Sequence, residues 1–313
     1  MVVPGTLAVP GADPRLRPAG AAMADVLGGY LLDLRSHEHG VLEATDPEEL
    51  HDFRVALRRA RSVLWGGHRT FPAEELELLA ALLAWLARLT SEARDLDVMV
   101  QDLPGLVDRL PDGARRRGAG GLQRELVARQ AQAHAELDAA LRGARYPVLV
   151  RRWESLASGA VVGGGPPGPD ADRPAGVVVA RVLKKSLKKA RRSGAVALAS
   201  DDRADWHRLR KDLKRFRYLL SGFGSLYPPG AARPVERDLA ELQDVLGRLQ
   251  DRHVQASLVE QAGLAAGGRS ALVAGALSDR LRRAEDKAHR RCHRAYREFD
   301  RSDVRTELAH LLA

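Results

Sequence analysis

Shifting the chain by 156 residues lays one stretch of it onto another without a gap. HDFRVALRRARSVL, beginning at His51, falls on HRLRKDLKRFRYLL, beginning at His207. His51 meets His207, Arg54 meets Arg210, Arg59 meets Arg215 and Arg61 meets Arg217, while Arg58 meets Lys214. Leu57 and Leu64 meet Leu213 and Leu220. The register holds downstream, where Phe71-Pro72 falls on Tyr227-Pro228 and Leu83, Ala84 and Leu86 fall on Leu239, Ala240 and Leu242. Further on, Asp95 and Val98 fall on Asp251 and Val254. Upstream, Val26, Leu27, Leu31 and Arg35 match Val182, Leu183, Leu187 and Arg191. Chance agreement between unrelated helices does not keep one register over that distance. The two halves read as duplicated copies of one unit.

That unit is helical. Apolar residues recur at spacings of three and four, as in Leu76, Leu79, Leu83 and Leu86, or Leu239, Leu242, Val245, Leu246 and Leu249. Period-two alternation is absent, so the expected fold class is all-α, arranged as bundles. Only 4% of the residues are aromatic, so the core must come from Leu, Ala and Val. Residues 1–18 read as a flexible tail, and GAVVGGGPPGPDADRPAG, residues 159–176, as a Gly/Pro-rich linker. The copies then occupy 19–158 and 177–313. The N-terminus has proline and glycine where a signal peptide needs an apolar stretch. The longest apolar run, which begins at Leu78 and ends before Arg88, is too short to span a bilayer. A cytoplasmic protein with no membrane partner is the expectation. Cys292 is the single cysteine, which excludes an intrachain disulfide and a Cys-based zinc site.

The duplicated helices carry the chemistry. At 100° per residue, His51, Arg54, Arg58 and Arg61 fall within an arc of roughly 80°, and His207, Arg210, Lys214 and Arg217 do the same. Beside each arc runs an apolar face: Phe53, Leu57, Ala60 and Leu64, or Leu209, Leu213, Phe216 and Leu220. No acid interrupts either basic arc, and Asp52 and Asp212 project elsewhere on the wheel. Helices charged only for solubility intersperse Glu four residues from Lys or Arg. The chain carries a net charge of +9, yet Arg181 to Tyr218 alone holds 14 Lys or Arg against four Asp. The remainder therefore sums to near neutrality. In the helix before His207, Lys184, Lys188 and Arg191 share one face, while Leu183, Leu187 and Ala190 form the one expected to be buried. Charge focused in this way concentrates anions.

Arginine binds phosphate oxygens through a forked set of donors, lysine supplies a compact charge, and histidine adds a donor that a polyanion would keep protonated. A linear row of such groups suits a linear row of phosphates better than a single phosphate. The HxxRxxxRRxR pattern at His51, its HxxRxxxKRxR copy at His207, and the RDLDV and QDRHV segments downstream resemble the CHAD family, the conserved histidine α-helical domain. The resemblance runs from about residue 20 onward. It implies two tandem repeated helical bundles related by a pseudo-twofold axis, with a basic channel or groove between them. It also implies non-catalytic binding of inorganic polyphosphate and association with polyphosphate granules. Phosphate-binding candidates are then His51, Arg54, Arg58, Arg59 and Arg61, with His207, Arg210, Lys214, Arg215 and Arg217. Arg35, Lys184, Lys188 and Arg191 join them from the preceding helices. Arg35 is alone where the second copy is lysine-rich, so the first copy is expected to bind less strongly.

Other readings are weaker. Taken singly, His51 or His207 would be a helix-start residue bonded to backbone; cations at matching positions favour function. Asp95 and Asp251 read as orienting an Arg or His rather than holding a metal, and His253, which stands where the first copy has Asp97, has no evident role. His37, His39, His68, His134, His289, His293 and His310 lack repeat partners and default to surface or packing positions. His289 and His293 have the spacing of a metal pair but no third ligand. Trp65, Trp85, Trp153 and Trp206 read as core fillers. A phosphohydrolase or phosphoryl-transfer enzyme would need a P-loop or a carboxylate-held Mg²⁺. Neither is found, nor is the ExExK signature of triphosphatase domains, so no catalytic residue, metal or cofactor is expected. A nucleic-acid binder would need a helix-turn-helix, RNA-recognition or zinc-finger pattern, or aromatics for base stacking; no such pattern is present and aromatics are scarce where bases would stack. Oligomeric state, protein partners, polymer length, any role of divalent ions and the purpose of the binding are not legible in the sequence.

Overall fold

The computed structural model describes residues 13–43, 46–110, 118–159, 165–200 and 202–312. These form ten α-helices: α1 (Ala19–Glu43), α2 (Pro47–Gly66), α3 (Ala73–Val107), α4 (Ala119–Arg142), α5 (Arg145–Ser158), α6 (Ala175–Ser200), α7 (Arg203–Gly222), α8 (Arg233–Ala266), α9 (Gly268–Phe299) and α10 (Ser302–Leu311). No strand occurs among the described residues, only an isolated bridge between Pro18 and Pro174. The all-α expectation holds. No described helix is long and apolar enough to cross a membrane.

Helix starts follow the repeat. Asp46 caps α2, its side chain accepting from Glu48 N, and Asp202, 156 residues later, caps α7 by accepting from Ala204 N. A short oxygen at this position satisfies one of the amides that a helix start leaves unpaired. Pro47 in the first turn of α2 gives up an amide that would be unpaired anyway, and Glu48 and Glu49 complement the helix dipole there. The chain entries to α1 and α6 are tied reciprocally: Ala19 N donates to Arg173 O at 2.9 Å and Ala175 N to Arg17 O at 2.8 Å. Each bond becomes the other when its residues are moved by 156. Glycines do the same at the ends of α2 and α7. A Cβ on Gly66 would lie 2.9 Å from Val182 Cγ1, and one on Gly222 would lie 3.4 Å from Val26 Cγ1. At Gly66 that is closer than a side chain allows without a shift, and at Gly222 the limit is set by the Tyr30 hydroxyl, 2.7 Å from the same Cβ.

The chain divides into two compact units that cut across the sequence halves. One takes the described residues up to Ala87, then Ala140–Ala240 and Glu298 onward; the other takes Arg88–Ala139 and Glu241–Arg297. Periodicity tells which face of a helix is apolar but not which helix covers it, so this partition is not readable from the pattern.

In the first unit α1 packs on α2, α5 and α6, α6 packs on α7, and α2 packs on α7. Its core holds Phe53, Leu57, Trp153, Trp206, Leu213 and Phe216, all fully buried. The Trp153 indole donates to Leu27 O at 2.9 Å. The described part of the Gly/Pro segment is docked. Gly168 N donates to Thr70 O and Asp170 N to Arg69 O, and a Cβ on Gly168 would lie 2.3 Å from Arg69 O. The Asp170 carboxylate is 1% exposed and meets Arg69 at 2.9 Å, Arg173 at 3.4 Å and Arg181 at 2.5 Å. Its partners lie up to 101 residues away, which is why composition alone reads this segment as a connector. Residues 1–12 of the expected tail lie outside the described residues; Asp13 onward forms a capped turn at Pro14–Leu16.

In the second unit the parts of α3, α4, α8 and α9 bury Leu96, Met99, Leu126, Leu137, Val259 and Leu277. Polar ties join neighbouring helices. His134 Nε2 donates to Asp97 Oδ1 at 2.7 Å, and Gln130 Nε2 donates to the same oxygen at 2.8 Å. His253, one repeat on from Asp97, donates from Nδ1 to the buried Glu285 at 3.2 Å. The partners themselves do not match across the repeat, since His134 corresponds to Arg290 and Glu285 to Arg129, but the contact gives His253 a structural place. The bond from Asp97 raises the His134 pKa, despite some burial. Burial would raise the Asp97 carboxyl, but the bonds from His134 and Gln130 outweigh it and hold it below its ordinary value. Cys292 is fully buried, and desolvation pushes its thiol up to about 12.

Candidate anion-binding site

α2 and α7, the two helices with basic arcs, lie in one unit and pack on each other. Their apolar faces are consumed in that core, which leaves the adjoining basic arcs at its edge. On α2, His51 and Arg61 are exposed, Arg58 is half-buried and Arg54 is buried at 7%. On α7, His207, Arg210, Lys214 and Arg217 are all half-buried. Arg54 therefore lies deeper than a uniformly solvated stripe would place it.

The arcs sense each other. Although Arg61 is exposed over more than a third of its surface, partial desolvation, followed by the like charges of Arg58 on its own helix and Arg215 on α7, holds its guanidinium below the ordinary arginine value. An arginine does not give up its proton under such pressure.

Trp65, one turn beyond Arg61, organises a second group of cations. Arg215 lies 4.7 Å from its ring centroid, Lys185 5.7 Å and Lys189 6.0 Å. The ring's negative face offsets part of the repulsion among three like charges. Lys185 also donates to His68 Nε2 at 3.4 Å. Below them the buried Asp212 accepts from Ser193 Oγ at 2.7 Å and from Arg215 at 2.9 Å, and lies 3.6 Å from Lys189. Two expectations change here. Trp65 is not a core filler; nor is Trp85, half-buried with Arg145 4.5 Å from its ring. Asp212, placed away from the basic arc by the helical wheel, does neutralise one member of the candidate set, Arg215. Side chains reach further than a wheel drawn at Cα positions suggests. Lys185, Lys189 and His68 escaped notice because they belong to this group only through the packing of α6 against α2.

The other candidates are more dispersed. Arg59 lies 4.0 Å from Asp33 and 5.9 Å from the Tyr30 ring, whose buried phenol is pushed up to about 12 although Arg59 opposes the shift. Arg35 pairs with Glu38 at 3.0 Å and Arg191 with Asp300 at 3.4 Å. Arg217 lies 5.6 Å from the Tyr218 ring. Lys184 and Lys188 are exposed, with no acidic partner among the described residues. His289 and His293 meet edge to face, 5.4 Å between centroids. No group of three His, Cys, Asp or Glu able to hold a metal occurs among the described residues. A cavity of about 490 Å³ lined by Leu226, Tyr227, Pro228, Val235 and Leu312 is mostly apolar and contains none of the candidates.

An all-helical fold with paired basic helices in a single core defines the class. The family model described as CHAD domain matches residues 25–260, and the chain belongs to the CHAD family. It is 28% identical over 238 residues to two Mycobacterium tuberculosis proteins, Uncharacterized protein MT2285 (strain CDC 1551 / Oshkosh) and Uncharacterized protein Rv2226 (strain ATCC 25618 / H37Rv). That alignment covers 70% of this chain but only 41% of theirs, so the chain spans less than half the length of the relatives it matches. Among solved structures it is similar to the CHAD domain from the plant Ricinus communis, with a TM-score of 0.65 and 26% identity over 95% of this chain and 93% of that one. It is also similar to PptA from Streptomyces chartreusis, with a TM-score of 0.68 and 19% identity over 90% of this chain and 99% of that one. The second likeness is one of fold.

Proposed function

We propose that this chain binds inorganic polyphosphate without turning it over, laying the polymer along the basic arcs of α2 and α7, and that such binding carries it to polyphosphate granules in the cytoplasm. One observation carries the reading: α2 and α7 pack on each other with their apolar faces buried, which sets the basic arcs of both helices at the edge of one core. A polymer of closely spaced phosphates answers such a row with many weak contacts, none of which needs a nucleophile or metal. Lys184 and Lys188 on α6, with the cations around Trp65, would extend the track beyond α7, and membership of the CHAD family supports the same ligand class.

The test is binding measured against polyphosphate of graded chain lengths at two salt concentrations, with DNA, RNA and ATP as competitors. Affinity is expected to climb with chain length and to fall with salt with a log–log slope on the order of 5, since each neutralised phosphate releases counterions. ATP should compete poorly. Phosphate release with Mg²⁺ or Mn²⁺ should stay at the buffer rate. Robust turnover would make the protein an enzyme, and displacement of long polyphosphate by nucleic acid at physiological salt would make it a nucleic-acid binder.

A further inference from the structure

The near-neutral sum outside Arg181–Tyr218 conceals a second concentration of charge. Between Arg280 and Arg297 the chain has eight Lys or Arg against two acids, Glu285 and Asp286. Lys287, Arg290, Arg294 and Arg297 follow spacings of three, four and three, which puts them on one face of α9 over about 15 Å of helix. All four are exposed, and none has an acidic partner within 4 Å among the described residues. Their neighbours Arg282 and Arg283 do have such partners, Glu260 and Asp279. The stripe belongs to the second compact unit, whereas α2 and α7 belong to the first. It has no counterpart in the repeat, where the positions 156 residues earlier are Ala131, His134, Asp138 and Leu141. It also lies beyond residue 260, where the family match ends.

We infer that this face of α9 is a second, separate polyphosphate site, so that one chain holds two polymer segments or two polymers. The inference rests on the proposed ligand class. Two features favour a bare phosphate chain over other polyanionic partners. Tyr296 and Phe299 are buried, and the half-buried His289 and His293 rings pack edge to face on each other, which leaves little aromatic surface beside the stripe for bases to stack on. The apolar face of α9, with Leu277, Leu281, Cys292 and Tyr296, is also buried, and the exposed Leu272 lies about 22 Å before Lys287 along the helix, so no large apolar side chain of α9 flanks the four cations to insert into a bilayer.

Three variants test it by calorimetric titration with one short polyphosphate of defined length. The first carries Lys287→Gln, Arg290→Gln, Arg294→Gln and Arg297→Gln. The second carries alanine at His51, Arg58, Arg61, His207, Lys214 and Arg217. The third combines both sets. The wild type is expected to take two short chains, each of the first two variants one, and the combined variant none. With long polymer, the wild type should give turbid cross-linked mixtures that the α9 variant does not. A wild-type stoichiometry of one that the α9 changes leave untouched would overturn the inference, as would an α9 variant that loses RNA binding alone. If binding instead survives the α2/α7 changes in full and vanishes with the α9 changes, the α9 site stands and the reading of α2 and α7 falls. No polyphosphate binding by the wild type defeats both. Circular dichroism should be unchanged in the α9 variant, since all four side chains are exposed.

Discussion

Alanine at His51, Arg54, Arg58, Arg61, His207, Arg210, Lys214 and Arg217 is expected to lower polyphosphate affinity at physiological salt by about a thousand-fold or more. Proteins making several phosphate contacts owe binding of that order to the cations alone, and removing each contact takes about one from the salt slope. Weak binding that remains should have a shallow slope and come from α9. Arg54 is buried, and its truncation carries a packing cost. A variant that keeps Arg54 and changes the other seven should therefore show nearly the same loss of affinity, with the wild-type circular dichroism spectrum. Equilibrium binding at two salt concentrations checks both variants. Undiminished affinity in the seven-residue variant would remove α2 and α7 from the site.

The second large effect concerns stability. Asp170→Asn leaves Arg69, Arg173 and Arg181 gathered around a group that no longer carries charge. Breaking a buried ion pair costs about 3–5 kcal/mol. The three arginines each remain roughly half exposed, so water takes over part of their solvation and the expected loss is ~2–3 kcal/mol. Thermal unfolding should then show a Tm lower by roughly 5–10 °C. Burial by itself would raise the Asp170 carboxyl, but the bonds and charges of Arg69 and Arg181 outweigh it and hold the group below its ordinary value. A depressed carboxyl contributes its stability above the unfolded value, near pH 4, and loses it as pH falls through the lower native value. The gap between wild type and Asp170→Asn should accordingly be constant near neutrality and close on acidification below about pH 4. A gap that ignores acid would mean that the carboxylate is not what secures the segment.

Much of the fold was legible because helix bounds recur at the 156-residue shift. Ala19 and Ala175, Pro47 and Arg203, and Gly66 and Gly222 mark matching helix ends, each pair 156 residues apart. Capping and apolar spacing are local properties, so a sequence carries them directly. What a helix packs against is not local. Asp170 reads as a polar residue in a connector until Arg69 and Arg181 close on it, and Trp65 reads as core until α6 brings Lys185 and Lys189 over its ring. The charge count hides α9 for another reason: acids elsewhere cancel its cations in the sum, although among the described residues none lies within 4 Å of Lys287, Arg290, Arg294 or Arg297.

The most direct measurement is a crystal structure of the full chain grown with polyphosphate. The chain of phosphates should run beside His51, Arg58 and Arg61 and continue past Lys214 and Arg217, with Arg61 and Arg217 both within hydrogen-bond distance of phosphate oxygens. Polymer resting only on other surfaces, with the arcs of α2 and α7 bare, would contradict the account.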